Sequence, residues 1–178
     1  EGAYLFDEFR SKKIVAIGWN ETGDLSKVPT PEEIKQIVKE KYPDYKLGKI
    51  NISAGQISRF RFNFEKGDNV ITYDPDERIY LVGEILSDYE YSTKLGEYFH
   101  IRRVKWLGKV SRDKLSTTTK NTLGAISTIF ELNEDAEEEI IKLLKGKEEA
   151  VEDIESKEAE LDTIKEDMIA KAREFIKD

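Results

Sequence analysis

The chain has 178 residues, 38% hydrophobic and 37% charged, with no cysteine and a net charge of −8. That length allows one compact domain with an appendage, or two small domains, and the missing cysteines exclude a disulfide framework and a thiolate zinc site. No run approaches the ~18 apolar residues of a membrane-spanning helix, there is no basic-then-apolar leader, and a start at Glu1 without a Met is expected of a piece excised from something longer. The charge is uneven. Residues 1–133 hold 21 Lys and Arg against 20 Asp and Glu, whereas residues 134–178 hold 8 against 17. The acidity therefore belongs to the C-terminal part, and a local basic patch in the first part can still meet nucleic acid. A charge fraction rich in Glu and Lys is seen in thermophile proteins, and it is equally what a long exposed helix needs.

Ile14 to Ile17 is a short apolar run that stops at Gly18, as a buried strand does before the backbone turns. Trp19 and Asn20 follow it. A Trp at such an exit either packs inward or forms the wall of a pocket. Thr30-Pro31-Glu32-Glu33 is a helix start, with a capping Thr, Pro at the first helical position and a Glu placed to complete the box. Ile34, Ile37, Val38 and Tyr42 give that helix one apolar face, and Pro43 ends it. Residues 51–64 read two ways. Phe60, Phe62 and Phe64 alternate with polar residues as in a strand, whereas Ile57, Phe60, Phe64 and a cap-like Ser53 fit a helix.

Gly67-Asp68 is a turn signal. Asn69 to Tyr73 and Arg78 to Leu86 read as two strands of a hairpin joined at Asp74-Pro75-Asp76-Glu77, and Gly83 inside the second run suggests a bulge. Asp88 to Ser92 reads as a loop rich in aromatics. Tyr98 to Leu107 is a longer strand carrying Arg102, Arg103 and Lys105, and Leu123 to Leu132 closes the domain. From Glu134 the chain has no Pro, one Gly (Gly146) and dense Glu and Lys. Ile154, Leu161, Met168 and Phe175 recur every seven residues, which predicts one helix, or two broken at Gly146, with a narrow apolar seam interrupted by Glu158 and Lys165. The expected organisation is therefore an α+β domain over 1–133, a small curled β-barrel with flanking helices, followed by a long acidic helical extension over 134–178 that packs on a neighbour.

Little in this chain suggests catalysis. His100 is the only histidine, which leaves Ser-His-Asp and Cys-His sites nearly excluded, and its place in a strand suits a structural role. No phosphate-cradling GxxxxGK[ST] loop is present. Pro75-Asp76 followed by Glu84-Ile85-Leu86 lacks the lysine that a nuclease of that general pattern uses. A binding module without a cofactor of its own, rather than an enzyme, is expected. Trp19, Tyr89, Tyr91, Tyr98 and Trp106 lie at strand ends, in loops or on a basic strand, where flat rings near cations can hold an unstacked base. The alternative is that Trp19 belongs to the core, that Tyr89 and Tyr91 only pack their loop, and that Arg102, Arg103 and Lys105 form a solvated strand face.

Four segments in order, IGWNETGDLS (17–26), GDNVITYDPDERIYLVGEILSDYEYS (67–92), HIRRVKWLGKVSRDKLS (100–116) and TLGAISTIF (122–130), resemble the N-terminal domain of modification-dependent restriction proteins of the McrB type. Such domains look like members of the PUA-like group, the EVE and YTH domains, which are curled β-barrels that grip modified bases. The resemblance favours a helix for residues 54–64. It also implies an aromatic cage. Trp19-Asn20 matches the Trp-polar pair after the first strand of YTH-type readers, while the loop that holds their second cage Trp here offers Tyr89 and Tyr91. Trp106 matches a strand position read as structural. The implied function is binding of double-stranded DNA carrying a methylated base, N6-methyladenine first and 5-methylcytosine second, by flipping the base into a site of Trp19, Asn20, Tyr89 and Tyr91. Arg59, Arg102, Arg103, Lys105 and Lys109 would contact phosphates. The resemblance further implies a GTP-driven AAA+ motor after this domain, a nuclease subunit as partner, a homo-oligomer and a cytoplasmic setting. A reader of modified RNA, or a structural adaptor acting through the C-terminal helix, are the alternatives.

Overall fold

A computed structural model describes residues 4–124 and 128–146. The fold is α+β: a curled antiparallel half-barrel with helices at its side. Its elements are α1 (Phe6–Lys12), β1 (Ile14–Ile17), α2 (Pro31–Lys41), α3 (Leu47–Ser58), β2 (Asn69–Asp74), β3 (Ile79–Ile85), β4 (Glu90–Tyr91), β5 (His100–Ser111) and α4 (Thr117–Thr122). A further helix, α5, covers 134–146. The strands lie in the order β1-β5-β3-β2, all pairs antiparallel, with β4 also paired to β5. β5 is the spine. Its first residues pair with β1 on one edge and β4 on the other, and its remainder pairs with β3.

The four apolar residues of β1 are buried on both faces. Val15 and Ile17 join the main core with Ile34, Val38, Ile57, Phe60, Ile85 and Val104. Ile14 and Ala16 meet Ile101 on the other face, under Phe9, Leu95 and Tyr98. The α2 start behaves as its residues require. Thr30 accepts from the Glu33 N–H at 3.3 Å, Pro31 occupies the first turn, and Ile34 and Val38 are buried. Of the 51–64 segment, residues 51–63 are helical and only Phe64 is extended. α3 begins earlier than expected, at Leu47, and ends in a π-helical turn over Arg59–Asn63. The expected hairpin forms between β2 and β3. At Gly83 the β3–β5 register shifts, so that Val82 faces Gly108 and Gly83 faces Trp106. A Cβ on Gly83 would sit 2.6 Å from both Trp106 and Val104 side-chain atoms and 2.9 Å from the Lys105 carbonyl, so the bulge needs glycine.

Four further elements differ from the sequence reading. α1 and α4 fall where no helix is expected, the Asp88–Ser92 loop contains the short strand β4, and β5 continues past Leu107 to Ser111. Of the closing segment Leu123 to Leu132, Ile129 is buried in the main core. The helix that opens the acidic extension is part of the packing of the barrel. Asn133 caps it by accepting from the Ala136 N–H at 3.0 Å. Ile140 and Leu144 enter a second core with Tyr80, Val82, Val110 and Leu115, and Ala136 is buried too. The Glu139 carboxylate accepts from the Ser116 N–H (2.6 Å) and hydroxyl (2.8 Å), tying α5 to the start of α4. The packed unit thus continues past the expected boundary at residue 133. The heptad seam from Ile154 to Phe175 lies outside the described residues. Among the described residues no helix is long and apolar enough to cross a membrane.

Candidate functional site

The sequence after β1 turns sharply, and the turn is made by a bulky residue. Trp19 sits in the left-handed region at φ 63° and ψ 37°, where non-glycine residues are uncommon and cost about 1–3 kcal/mol of strain. Its carbonyl is held from three directions. It accepts from the Thr22 N–H (3.0 Å), the Thr22 hydroxyl (2.8 Å) and His100 Nε2 (3.2 Å). A carbonyl only accepts, so His100 Nε2 carries the hydrogen and Nδ1 is a bare acceptor. The Tyr89 hydroxyl, 2.7 Å from Nδ1, therefore donates to it, and in turn accepts from the Leu25 N–H at 3.3 Å. His100 and Leu25 are fully buried and Tyr89 is 8% exposed. Burial holds the His100 imidazole below its ordinary 6.5, partly opposed by the Trp19 carbonyl and the Asp24 charge, and burial pushes the Tyr89 phenol up. The hub is a neutral, internally satisfied network.

Around this hub lie half-buried aromatic rings. On β4, Tyr91 pairs in register with His100, with ring centroids 5.4 Å apart, and meets the Phe99 ring edge-on at 6.0 Å. Ile17 pairs with His100 from the other side, and two residues later comes Trp19. Trp19 and Tyr91 both pack against the main core while remaining partly exposed. The structure thus brings the Trp19 backbone carbonyl and the Tyr89 and Tyr91 rings to one buried histidine. Tyr89 serves from behind, as a buried support whose hydroxyl is spent, whereas Trp19 and Tyr91 keep open surface.

The other expected site residues fall differently. The Asn20 amide is committed to the backbone. Its Nδ2 donates to the Glu97 carbonyl at 2.9 Å, and its Oδ1 accepts from the Phe99 N–H at 3.1 Å. It pins the β1 exit to the approach of β5 and is not free to read a base edge. Arg102 is a correction to the expected phosphate contacts. It is 2% exposed, and its guanidinium donates to the carbonyls of Phe60 (2.9 Å), Ser87 (3.1 Å) and Arg61 (3.1 Å). The π-helical turn leaves carbonyls without helical partners, and Arg102 supplies their donors. Arg59 likewise donates to the Ile129 carbonyl at 3.1 Å. Arg103 pairs with Glu90 at 3.1 Å, and Lys109 lies 3.6 Å from Glu77. Lys105 is exposed, but lies five residues along β5 from His100, about 17 Å away, and Lys109 lies nine residues away, about 30 Å. The expected phosphate contacts therefore do not form one patch beside the aromatic rings.

The structural role that the sequence suggests for His100 is that of the hub. Arg61, which the sequence does not single out, reaches the same place. Its Nε donates to the Leu25 carbonyl (3.1 Å) and its Nη2 to the Ser26 carbonyl (2.8 Å), while its guanidinium lies 5.2 Å from the Tyr89 ring centroid and 5.0 Å from that of Phe62. The only sequence signal for it was the alternation of Arg with Phe over residues 59–64.

Elsewhere, a cleft of about 970 Å³ opens between the edge strands β1 and β2, lined by Phe9, Val15, Phe60, Phe64, Val70 and Ile129 among others, and none of Trp19, Tyr89 or Tyr91 lines it. Trp106 is half-buried, with its indole N–H donated to the Phe9 carbonyl at 3.2 Å. Among the described residues no group of three His, Asp or Glu side chains is arranged to hold a metal ion.

Fold and site define a class: a half-barrel α+β domain with a strained Trp and a Tyr set about a buried histidine at one end of its sheet. Residues 1–133 match the family described as "Domain of unknown function (DUF8426)", and the chain belongs to that family. No curated protein and no solved structure matches it.

Proposed function

We propose that this domain binds methylated DNA, holding one flipped base between Trp19 and Tyr91, as the targeting module of a modification-dependent restriction system. The observation that carries the reading is Trp19 itself. A bulky residue kept at φ 63° by three hydrogen bonds to its carbonyl is strain retained at a partly exposed ring. The resemblance to EVE and YTH domains of the PUA-like group points the same way.

The energetics suit this use. Flipping a base costs a few kcal/mol, about 1–3 kcal/mol per base returns through stacking, and a base methyl adds roughly 0.8 kcal/mol of burial. Discrimination of a methylated base then rests on shape and apolar contact with the rings, with N6-methyladenine favoured over 5-methylcytosine. Motor and nuclease functions belong to other parts of such a system. The test is Trp19→Ala in a titration with modified and unmodified duplexes. Loss of one stacking partner weakens binding by about 5- to 150-fold for 1–3 kcal/mol, and it removes most of the preference that the methyl contact supplies, about fourfold for 0.8 kcal/mol. An unchanged preference contradicts the cage. A reader of modified RNA would use the same rings, and competition between matched DNA and RNA strands separates the two.

A further inference from the structure

We infer that Arg61 is the anion-gripping residue of this site, taking the backbone phosphate next to the base held by Trp19 and Tyr91; the inference rests on the base-reading proposal above. Arginine has five N–H donors in a rigid fork. Among the described residues Arg61 spends one Nε and one Nη2 hydrogen on the Leu25 and Ser26 carbonyls. The two Nη1 hydrogens and the second Nη2 hydrogen remain, and the residue is only part-buried.

The guanidinium is fixed by its two carbonyl acceptors, with the Tyr89 and Phe62 rings within 5.2 Å. A fork held in place loses little freedom on binding a phosphate and can meet it with two parallel bonds. Its location links it to the aromatic site through one residue. Leu25 gives its carbonyl to Arg61 and its N–H to the Tyr89 hydroxyl, which in turn donates to His100. The other arginines of this strand-and-helix junction are committed elsewhere: Arg102 to three carbonyls, Arg103 to Glu90 and Arg59 to the Ile129 carbonyl. A phosphate contact carries no base information, so Arg61 contributes affinity that is equal for modified and unmodified DNA.

The test uses the 178-residue chain, duplexes with and without the methylated base, and a series of salt concentrations. Arg61→Ala is expected to weaken both duplexes by a similar factor, about tenfold, and to lower the salt slope by about one. Arg61→Lys keeps the charge and is expected to restore the slope while recovering affinity only in part, a pattern that loss of structure alone does not produce. An unchanged salt slope in Arg61→Ala, or a loss confined to the modified duplex, overturns the assignment. If wild type binds all duplexes equally while Arg61→Ala still lowers the slope, the phosphate contact stands and the base reading fails. If wild type binds no duplex, both fail.

Discussion

Tyr89→Phe tests the hub with the smallest change in shape. The ring stays, so its packing and the guanidinium above it are kept, and only the hydroxyl is lost. That oxygen donates to His100 Nδ1 at 2.7 Å and accepts from the Leu25 N–H at 3.3 Å. His100 and Leu25 are both 0% exposed, so water does not replace either bond without opening the structure. A buried polar group left unsatisfied costs about 1–3 kcal/mol. The Leu25 bond is long and sits at the low end, and the His100 bond is short and sits higher, which gives about 2–4 kcal/mol together. For a chain of this size each kcal/mol shifts the melting temperature by about 2–4 °C. Urea unfolding followed by tryptophan fluorescence and by far-UV circular dichroism measures it, with a lower midpoint and an unchanged slope expected. A loss below about 0.5 kcal/mol would refute the reasoning, since it would mean that the network is already wet or rearranges freely.

Three further outcomes follow from the same geometry. His100 is the only histidine, and burial holds its pKa below 6.5. Below pH 6.5 the unfolded chain takes up a proton that the folded chain refuses, so stability is full above that pH and falls as pH drops toward the folded pKa, by at most about 1.4 kcal/mol per pH unit. Unfolding midpoints across pH 7 to 5 should show this slope, and His100→Gln should flatten it. Gly83→Ala puts a methyl against the Lys105 carbonyl and two side chains, and thermal melts should show a loss of about 1–3 kcal/mol from overpacking. Ile140→Ala should cost about 2–5 kcal/mol, because Ile140 is 2% exposed within the second core; a neutral effect would mean that α5 does not dock on the barrel.

Local signals in the sequence translated well where they carried their own geometry. Ile14 to Ile17 is a buried strand because four apolar residues before a glycine leave no polar face. Thr30-Pro31 starts α2 because cap and fixed φ act within one turn. Gly83 marks a bulge because no side chain fits there. α1 was illegible for the opposite reason. Leu5 gives it no side-chain cap, four of its seven residues are charged, and it is held by the packing of Phe6 and Phe9, a tertiary effect. β4 is two residues long and exists only through its pairing with β5.

The site was half-legible. Trp19 and Tyr91 could be singled out as rings near turns. The commitments of Asn20 and Arg102 could not, because their partners lie 41 to 79 residues away for all but one of their bonds. Alternation along β5 put Arg102 on the same face as His100 and Val104, but only the π-helical end of α3 shows what its guanidinium is for. His100 looked like an ordinary strand residue, and its role as hub depends on partners 11 and 81 residues distant.

The central claim is tested most directly by titrating the domain, at one fixed salt concentration, with the same duplex carrying N6-methyladenine, 5-methylcytosine or no modification. The account predicts tighter binding to the N6-methyladenine duplex than to either of the others. Equal binding to all three, or binding to none, would contradict it.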